Sequence, residues 1–296
     1  MKKTIVLGVD VGGSHITTAL VDIDKGVILR DTAARESLNS MGTVEKILDT
    51  WVSCIRQSLS VAATSGVSIG IAMPGPFEYE NGISRISQQP KFRSLYGLPL
   101  KHLLGGMLGL SEERIYFMND ACSFLKGEML GGALRGQDHV MGITLGTGLG
   151  SAFSRNGEVV DADLWQSPFA DGIAEDYLST RWFTGRYQQL SGQSIAGVKE
   201  LADLPDQDPL KQQVFMEFAE NLASFILQQQ EAHQYENIVI GGNIAKAAPY
   251  FIKELDKKLK ARAGEPVYCL AELGEAAPLI GAAGMAYVSV MGRRLV

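Results

Sequence analysis

Two stretches of this chain follow one pattern, and that pattern limits the folds open to it. Thr4 to Asp10 is a β-branched apolar run that enters the glycine turn Asp10-Val11-Gly12-Gly13-Ser14. Roughly 135 residues later, Val140 to Leu145 runs into Gly146-Thr147-Gly148-Leu149-Gly150. Each reads as a strand delivered into a tight turn. After the first turn, Ile16 to Val21, the turn Asp22-Ile23-Asp24-Lys25-Gly26 and Val27 to Leu29 continue an antiparallel meander. After the second, Ser151 to Phe153 leads to the hairpin signal Arg155-Asn156-Gly157. The recurrence predicts two related halves facing each other across a cleft.

Between and after these turns the grammar alternates. Val44 to Val61 spaces Val44, Ile47, Leu48, Trp51, Ile55 and Leu59 as an amphipathic helix. Val67 to Ala72 reads as a buried strand stopped by Met73-Pro74-Gly75-Pro76, and Ile115 to Met118 as a short one delivering Asn119 and Asp120 ahead of a helix from Ala121 to Leu130. Leu210 to His233 carries Phe215, Phe218, Leu222, Phe225 and Ile226 on one helical side. Asn237 to Ile240 is a strand running into Gly241-Gly242-Asn243, with a helix expected from Ile244 to about Ala261. The alanine- and glycine-rich stretch from Pro278 to about Met291 suits a tightly packed last helix.

Composition removes several function classes. A net charge of −6 argues against a reader of nucleic-acid phosphates, which carries a basic face. The start Met1-Lys2-Lys3 followed by an apolar run resembles a signal peptide, but Asp10 interrupts it, and no segment approaches the 18 to 20 apolar residues of a bilayer span. The expectation is a cytoplasmic chain without membrane partners. Cys54, Cys122 and Cys269 show no C-x-x-C spacing, so neither a disulfide framework nor a cysteine-rich zinc site is expected. They read as buried or idle thiols, with Cys122, two residues after Asp120, the one that could border a ligand.

Glycine turns at strand ends suit phosphate binding, because a backbone without Cβ approaches phosphate oxygens and offers them successive N–H groups. They equally suit any tight hairpin. No G-x-x-x-x-G-K-S/T occurs, and no G-x-G-x-x-G opens a strand–helix unit, which sets aside the P-loop and the dinucleotide fold. Asp10, at the lip of the first turn, reads either as a hydrogen-bonding cap or as a carboxylate that organises Mg²⁺ through water. Asp120 has two readings as well: the N-cap of the helix that follows, or a general base that takes a proton from a hydroxyl.

Taken together, these segments resemble the ROK family of sugar kinases and regulators, within the actin/hexokinase/Hsp70-like fold. Val9-Asp10-Val11-Gly12-Gly13-Ser14 looks like its first phosphate motif, with Ser14 where threonine is usual, and Gly70-Ile71-Ala72-Met73-Pro74-Gly75-Pro76 like its strand-to-sugar-loop signature. Asn119-Asp120-Ala121 is similar to its catalytic aspartate motif, Leu145-Gly146-Thr147-Gly148 to its second phosphate motif, and Ile238-Val239-Ile240-Gly241-Gly242 to its adenosine motif. The resemblance implies an α/β fold of two actin-like (ribonuclease H-like) domains, mixed sheets flanked by helices with an interdomain cleft: a smaller domain over residues 1–118 completed by a final helix over 279–296, and a larger one over 119–278. It implies ATP with Mg²⁺, a small-molecule sugar, and a homodimer. Asp10, Gly12, Gly13, Ser14, Gly146, Thr147, Gly148, Gly241 and Gly242 would then hold the nucleotide. Asp120 would be the base, and Asn119, Glu175, Gly75 and Pro76 would meet the sugar.

Two departures stand out. The family's E-x-G-H and cysteine-rich zinc loop have no counterpart in Val160-Asp161-Ala162-Asp163-Leu164-Trp165-Gln166-Ser167-Pro168, and its Pro-Asn sugar-loop pair is Pro90-Lys91 here. No zinc is expected, and Trp165, Gln166 and Lys91 are the available substitutes for the lost sugar contacts, unless Trp165 only packs in the core. Of the histidines, His15 alone neighbours a phosphate turn, while His102, His139 and His233 lack ligand spacing. The expected activity is ATP-dependent phosphorylation of a hexose or amino-sugar hydroxyl. The alternatives are a sugar-binding or regulatory protein without turnover, or an ATPase or phosphatase of the same fold. Regulators of the family carry an added N-terminal domain, whereas this chain opens almost directly on its phosphate strand.

Overall fold

The computed structural model describes residues 4–61, 66–263 and 268–294. Two sheets of the same plan organise it. In the first, Ile5–Val11, His15–Asp22 and Val27–Ile28 form the expected antiparallel meander, and Ile69–Ala72 and Ile115–Met118 add in parallel on the side of the first strand. In the second, Val140–Leu145, Leu149–Arg155 and Glu158–Asp161 form the meander, and Asn237–Gly241 and Tyr268–Leu270 add in parallel. Asn156 and Gly157 both take positive φ, 55° and 77°, as a two-residue hairpin turn requires. A strand at Ala34–Ser37, not expected from sequence, lies along the second strand beside the two-residue third one.

The chain divides into two units, Met1–Gly136 with Glu275–Val296, and Gln137–Gly274. The division falls after Gly136, not after residue 118, and packing explains the difference. The helix Asp120–Gly131 is buried on most of its surface and lies against the terminal helix Ala276–Arg294. Gly281 faces the Ser123 carbonyl and Gly127 faces that of Ala277, so closely that no Cβ fits at either glycine. The terminal helix therefore seals onto both the sheet and the Asp120 helix. Residues 295–296 of the expected last helix lie outside the described residues.

The first unit's core gathers Leu7, Val9, Ile16, Ile47, Trp51, Ile55, Ile71 and Phe117, so the face read from Val44 to Leu59 is the one that packs. In the second unit the helix Pro209–His233 buries Phe215, Phe218, Leu222, Phe225 and Ile226. Its start is set by Asp208, whose carboxylate accepts from the N–H groups of Leu210 and Lys211 at 2.9 Å each, with Pro209 in the first turn. The helix expected from Ile244 begins as a 3₁₀ turn over Ile244–Ala247 and becomes α-helical at Ala248.

Candidate active site

One transverse row of the first sheet sets the site. Arg35 stands opposite Thr17, Thr17 opposite Asp10, Asp10 beside Ala72, and Ala72 beside Met118. Asp10 thus stands one residue before the end of its strand, where the sheet changes from antiparallel to parallel pairing, at the carboxyl ends of its parallel strands, the place where ligands of open α/β sheets bind. The next two residues after Met118 are Asn119 and Asp120.

Asn119, not Asp120, caps the helix. Its Oδ1 accepts from the N–H groups of Ala121 at 2.7 Å and Cys122 at 3.2 Å. Asp120 occupies the first helical position, exposed, with Oδ1 accepting from the Ala121 N–H at 2.8 Å. The structural duty that competed with a chemical one for Asp120 is performed by its neighbour. Cys122 is buried within that helix, and Cys54 is buried beneath the first sheet beside Thr18.

The electrostatics centre on Asp10. Burial, and then the Asp120 carboxylate, push its carboxyl up to about 7; Arg35 pulls it down, and Glu275 adds to the rise. Glu275 itself pairs with Arg35 at 2.7 Å. A carboxyl held toward neutrality by burial first, and by a neighbouring carboxylate second, gains from a cation placed beside it. Among the described residues no group of three His, Cys, Asp or Glu side chains forms a metal cage. That donor set fits Mg²⁺, which uses one or two carboxylates and keeps its waters; Asp10 would hold it through water, and bound there it would neutralise charge on phosphate oxygens.

Gly12 N–H donates to the His15 carbonyl at 2.9 Å to close the first turn, and Ser14 Oγ lies 3.0 Å from His15 Nδ1. The sugar-loop residues Gly75 and Pro76, joined by a cis peptide bond, follow Met73, whose N–H donates to the Met118 carbonyl at 2.9 Å. Sequence reading missed Tyr79 here. Its hydroxyl donates to the Met73 carbonyl at 3.1 Å and accepts from Asn119 Nδ2 at 3.3 Å, tying the loop to the aspartate motif. The Phe77 and Phe117 rings support it in a stack, with centroids 5.2 Å and 4.9 Å apart along the series. Only the local run Phe77-Glu78-Tyr79 could have hinted at an aromatic support.

In the second unit Gly146, Thr147 and Gly148 form the turn, with Thr147 exposed. Thr180 holds it: both its N–H, at 2.8 Å, and its Oγ1, at 2.9 Å, donate to the Gly146 carbonyl. Glu175 packs on Gly148; its Oε2 accepts from the Leu149 N–H at 3.1 Å and its Oε1 from Arg181 at 3.3 Å. Each oxygen keeps a second lone pair for a ligand hydroxyl. Gly241 pairs with Thr144, and Gly242 takes φ 88° against the backbone of Leu145, a position that no Cβ could enter.

The segment without E-x-G-H builds its own support. Pro168–Phe169 pairs with Gly172–Ile173, and buried Phe169 meets Tyr177 at 5.4 Å and Phe225 at 6.1 Å. Trp165 is 38% exposed on the preceding 3₁₀ turn, which packs on the helix bearing Glu175, so it is not a core residue. His102 pairs with Glu112, His139 meets the His233 carbonyl, and the His233 ring packs near Tyr235 at 5.3 Å, which accounts for the remaining histidines structurally.

The family model described as ROK family matches residues 6–162 and 170–288. The chain is 33% identical to the glucokinase of Thermotoga maritima over 157 residues, a match covering 53% of this chain and 46% of that one. It is 25% identical to an N-acetylgalactosamine kinase of Shewanella across 93% of this chain and 94% of that protein. The structure of a ROK family glucokinase from Streptomyces griseus, in complex with glucose and AMPPNP, has the same fold. It superposes with a TM-score of 0.74 at 22% identity, over 96% of this chain and 100% of that one. With two actin-like domains and that match along both, the chain belongs to the ROK family.

Proposed function

We propose that this protein phosphorylates a hydroxyl of a hexose or amino sugar at the expense of ATP, with Mg²⁺. The observation that carries the reading is the pairing of Asn119 and Asp120: the amide caps the helix and leaves the exposed carboxylate beside Asp10. Phosphoryl transfer needs little covalent work from the protein beyond an oriented hydroxyl and a cradle for phosphates. Asp120 accepts the sugar hydroxyl's proton as that oxygen attacks the terminal phosphorus. Asn119, held by Tyr79, and Glu175, with Gly75 and Pro76, position the sugar. The turns at Gly12–Ser14 and Gly146–Gly148, with Gly241 and Gly242, serve the nucleotide. The reading includes a cytoplasmic homodimer, and among the described residues no helix is long and apolar enough to cross a membrane.

Glucose is not its best substrate. The family's glutamate and histidine of E-x-G-H are missing, and a site that lacks a hydroxyl's partner rejects that sugar by large factors. Trp165, exposed on the turn beside Glu175's helix, supports an aromatic face in their place. A coupled ADP-release assay across hexoses, amino sugars and N-acylated amino sugars tests both statements. Sugar-stimulated ADP release with a sugar other than glucose in front is expected; glucose ahead by a wide margin removes the specificity reading. A second reading, a sugar binder without turnover, rests on the departure of this chain from the family's E-x-G-H. Sugar binding by calorimetry without any ADP release would establish it.

A further inference from the structure

Lys91 stands where the family's sugar loop has asparagine, yet its side chain lies on the phosphate turn. A Cβ placed on Gly13 would be 2.9 Å from Lys91 Cδ and Cε and 3.0 Å from its Nζ. The turn is open at that point. Gly12 N–H is engaged by His15 and the Ser14 carbonyl by Leu38, but among the described residues nothing accepts from the N–H groups of Gly13 or Ser14. Nor does any carboxylate among the described residues pair with Lys91. Two open backbone donors and an unpaired ammonium beside one glycine make an anion cradle.

Lys91 is also held there by an anchored neighbour. Phe92 is 1% exposed and takes φ 58°, a left-handed conformation that is unfavourable for a bulky residue. It persists because the surroundings leave it no choice. The Phe92 N–H donates to the Ser40 carbonyl at 2.7 Å, its ring meets Trp51 edge-on at 6.2 Å, and Ser94 Oγ donates to the Gly42 carbonyl at 2.9 Å. The backbone of Lys91 is therefore fixed from a strained, buried position, while its flexible stem runs out along the turn.

We propose that Lys91 is a phosphate-binding cation of this chain: its ammonium, with the N–H groups of Gly13 and Ser14, grips the phosphates of the donor in the reaction proposed above. The asparagine-to-lysine exchange thus moves a sugar-loop position into the service of the donor. As a compact, three-donor point charge, lysine suits a phosphate chain, and the contact strengthens as charge moves onto the bridging oxygen in the transfer.

Lys91→Gln and Lys91→Arg, compared with the unaltered full chain, test this. Calorimetry with inorganic tripolyphosphate is the probe that needs no sugar. Lys91→Gln should weaken tripolyphosphate binding by about tenfold and flatten its salt dependence, and Lys91→Arg should restore part of the affinity. In kinetics with ATP and the best sugar of the panel, Lys91→Gln should lower kcat/KM for ATP by about 10- to 100-fold with the sugar KM unchanged. Unaltered tripolyphosphate binding, or an effect confined to the KM of sugars and largest for acidic ones, overturns the assignment. If no sugar supports turnover, the kinase reading falls, while the tripolyphosphate titration still decides for or against Lys91.

Discussion

The two glycine turns grow from sheets of the same plan, and they are treated in opposite ways. The second is latched: Thr180 twice engages the Gly146 carbonyl, Glu175 takes the Leu149 N–H, and Gly242 presses its backbone on Leu145. The first is electrostatically unbalanced. Its Gly13 and Ser14 N–H groups find no acceptor among the described residues, and Asp10 is driven toward neutrality by burial and by Asp120. Both turns leave two N–H groups without an acceptor among the described residues, Gly13 and Ser14 in the first and Thr147 and Gly148 in the second, so what differs is the side-chain support and the charge around them. Repetition of a backbone plan therefore does not imply repetition of the support around it. Changes in the first turn and its surroundings should be read chiefly in activity, whereas changes to the latch of the second should be read in stability as well as in activity.

The largest effect expected is on turnover. Asp120→Asn keeps the shape and leaves the Asn119 cap untouched, but the amide cannot take a proton, so kcat should fall by about 10² to 10⁴ with little change in melting temperature. A variant with near-normal turnover would return Asp120 to a structural role and erase the contrast. Next is Gly242→Ala, which places a methyl against the Leu145 backbone at positive φ; a stability loss on the order of 3 kcal/mol is expected in urea unfolding. A loss below about 0.5 kcal/mol would mean that the second turn is not latched there.

Asp10→Asn sharpens the comparison because it should stabilise the protein while impairing it. A carboxyl raised from 3.8 to about 7 favours the folded state while protonated, and this contribution is lost as pH rises through 7. Without Mg²⁺ or nucleotide, the unaltered protein should therefore lose stability relative to Asp10→Asn between about pH 4 and pH 8. At pH 8 the variant should be ahead by about 2 kcal/mol, half of what the full shift would give, since water screens the partly exposed side chain. Melting curves of the two proteins at pH 5 and pH 8 measure it; parallel curves would show that Asp10 is not under strain.

What was legible in the sequence was periodic or local. Both meanders, the face of Val44–Leu59 and the aromatic side of the Pro209–His233 helix follow from spacing, and Asp10 and Asp120 follow from their places at strand ends. What escaped depends on contacts between distant segments. The bonds from Thr180 to Gly146, from Glu175 to Leu149 and from Asn119 to Tyr79 have no period to betray them. Asn119 and Asp120 are both good capping residues, and which one caps is decided by where the strand lets go, a matter of one residue. The boundary expected at 118 failed for a similar reason. A motif that opens a new stretch of chain looks like the start of a domain, while the packing of Gly127 and Gly281 that keeps it in the first unit joins residues far apart.

The terminal helix gives the two units different histories during synthesis. Gln137–Gly274 is one continuous stretch and has every strand of its sheet once Leu270 is made. The first unit, although begun earlier, has Gly8 and Gly70 facing backbone that arrives only with Leu279 and Ala282. Until then the sheet that carries Asp10 has an uncovered apolar side, and the helix bearing Asp120 lacks its long neighbour. The half that is translated first is completed last, so a released chain ending at residue 274 should carry a protease-resistant second unit behind a first unit that is still cleavable.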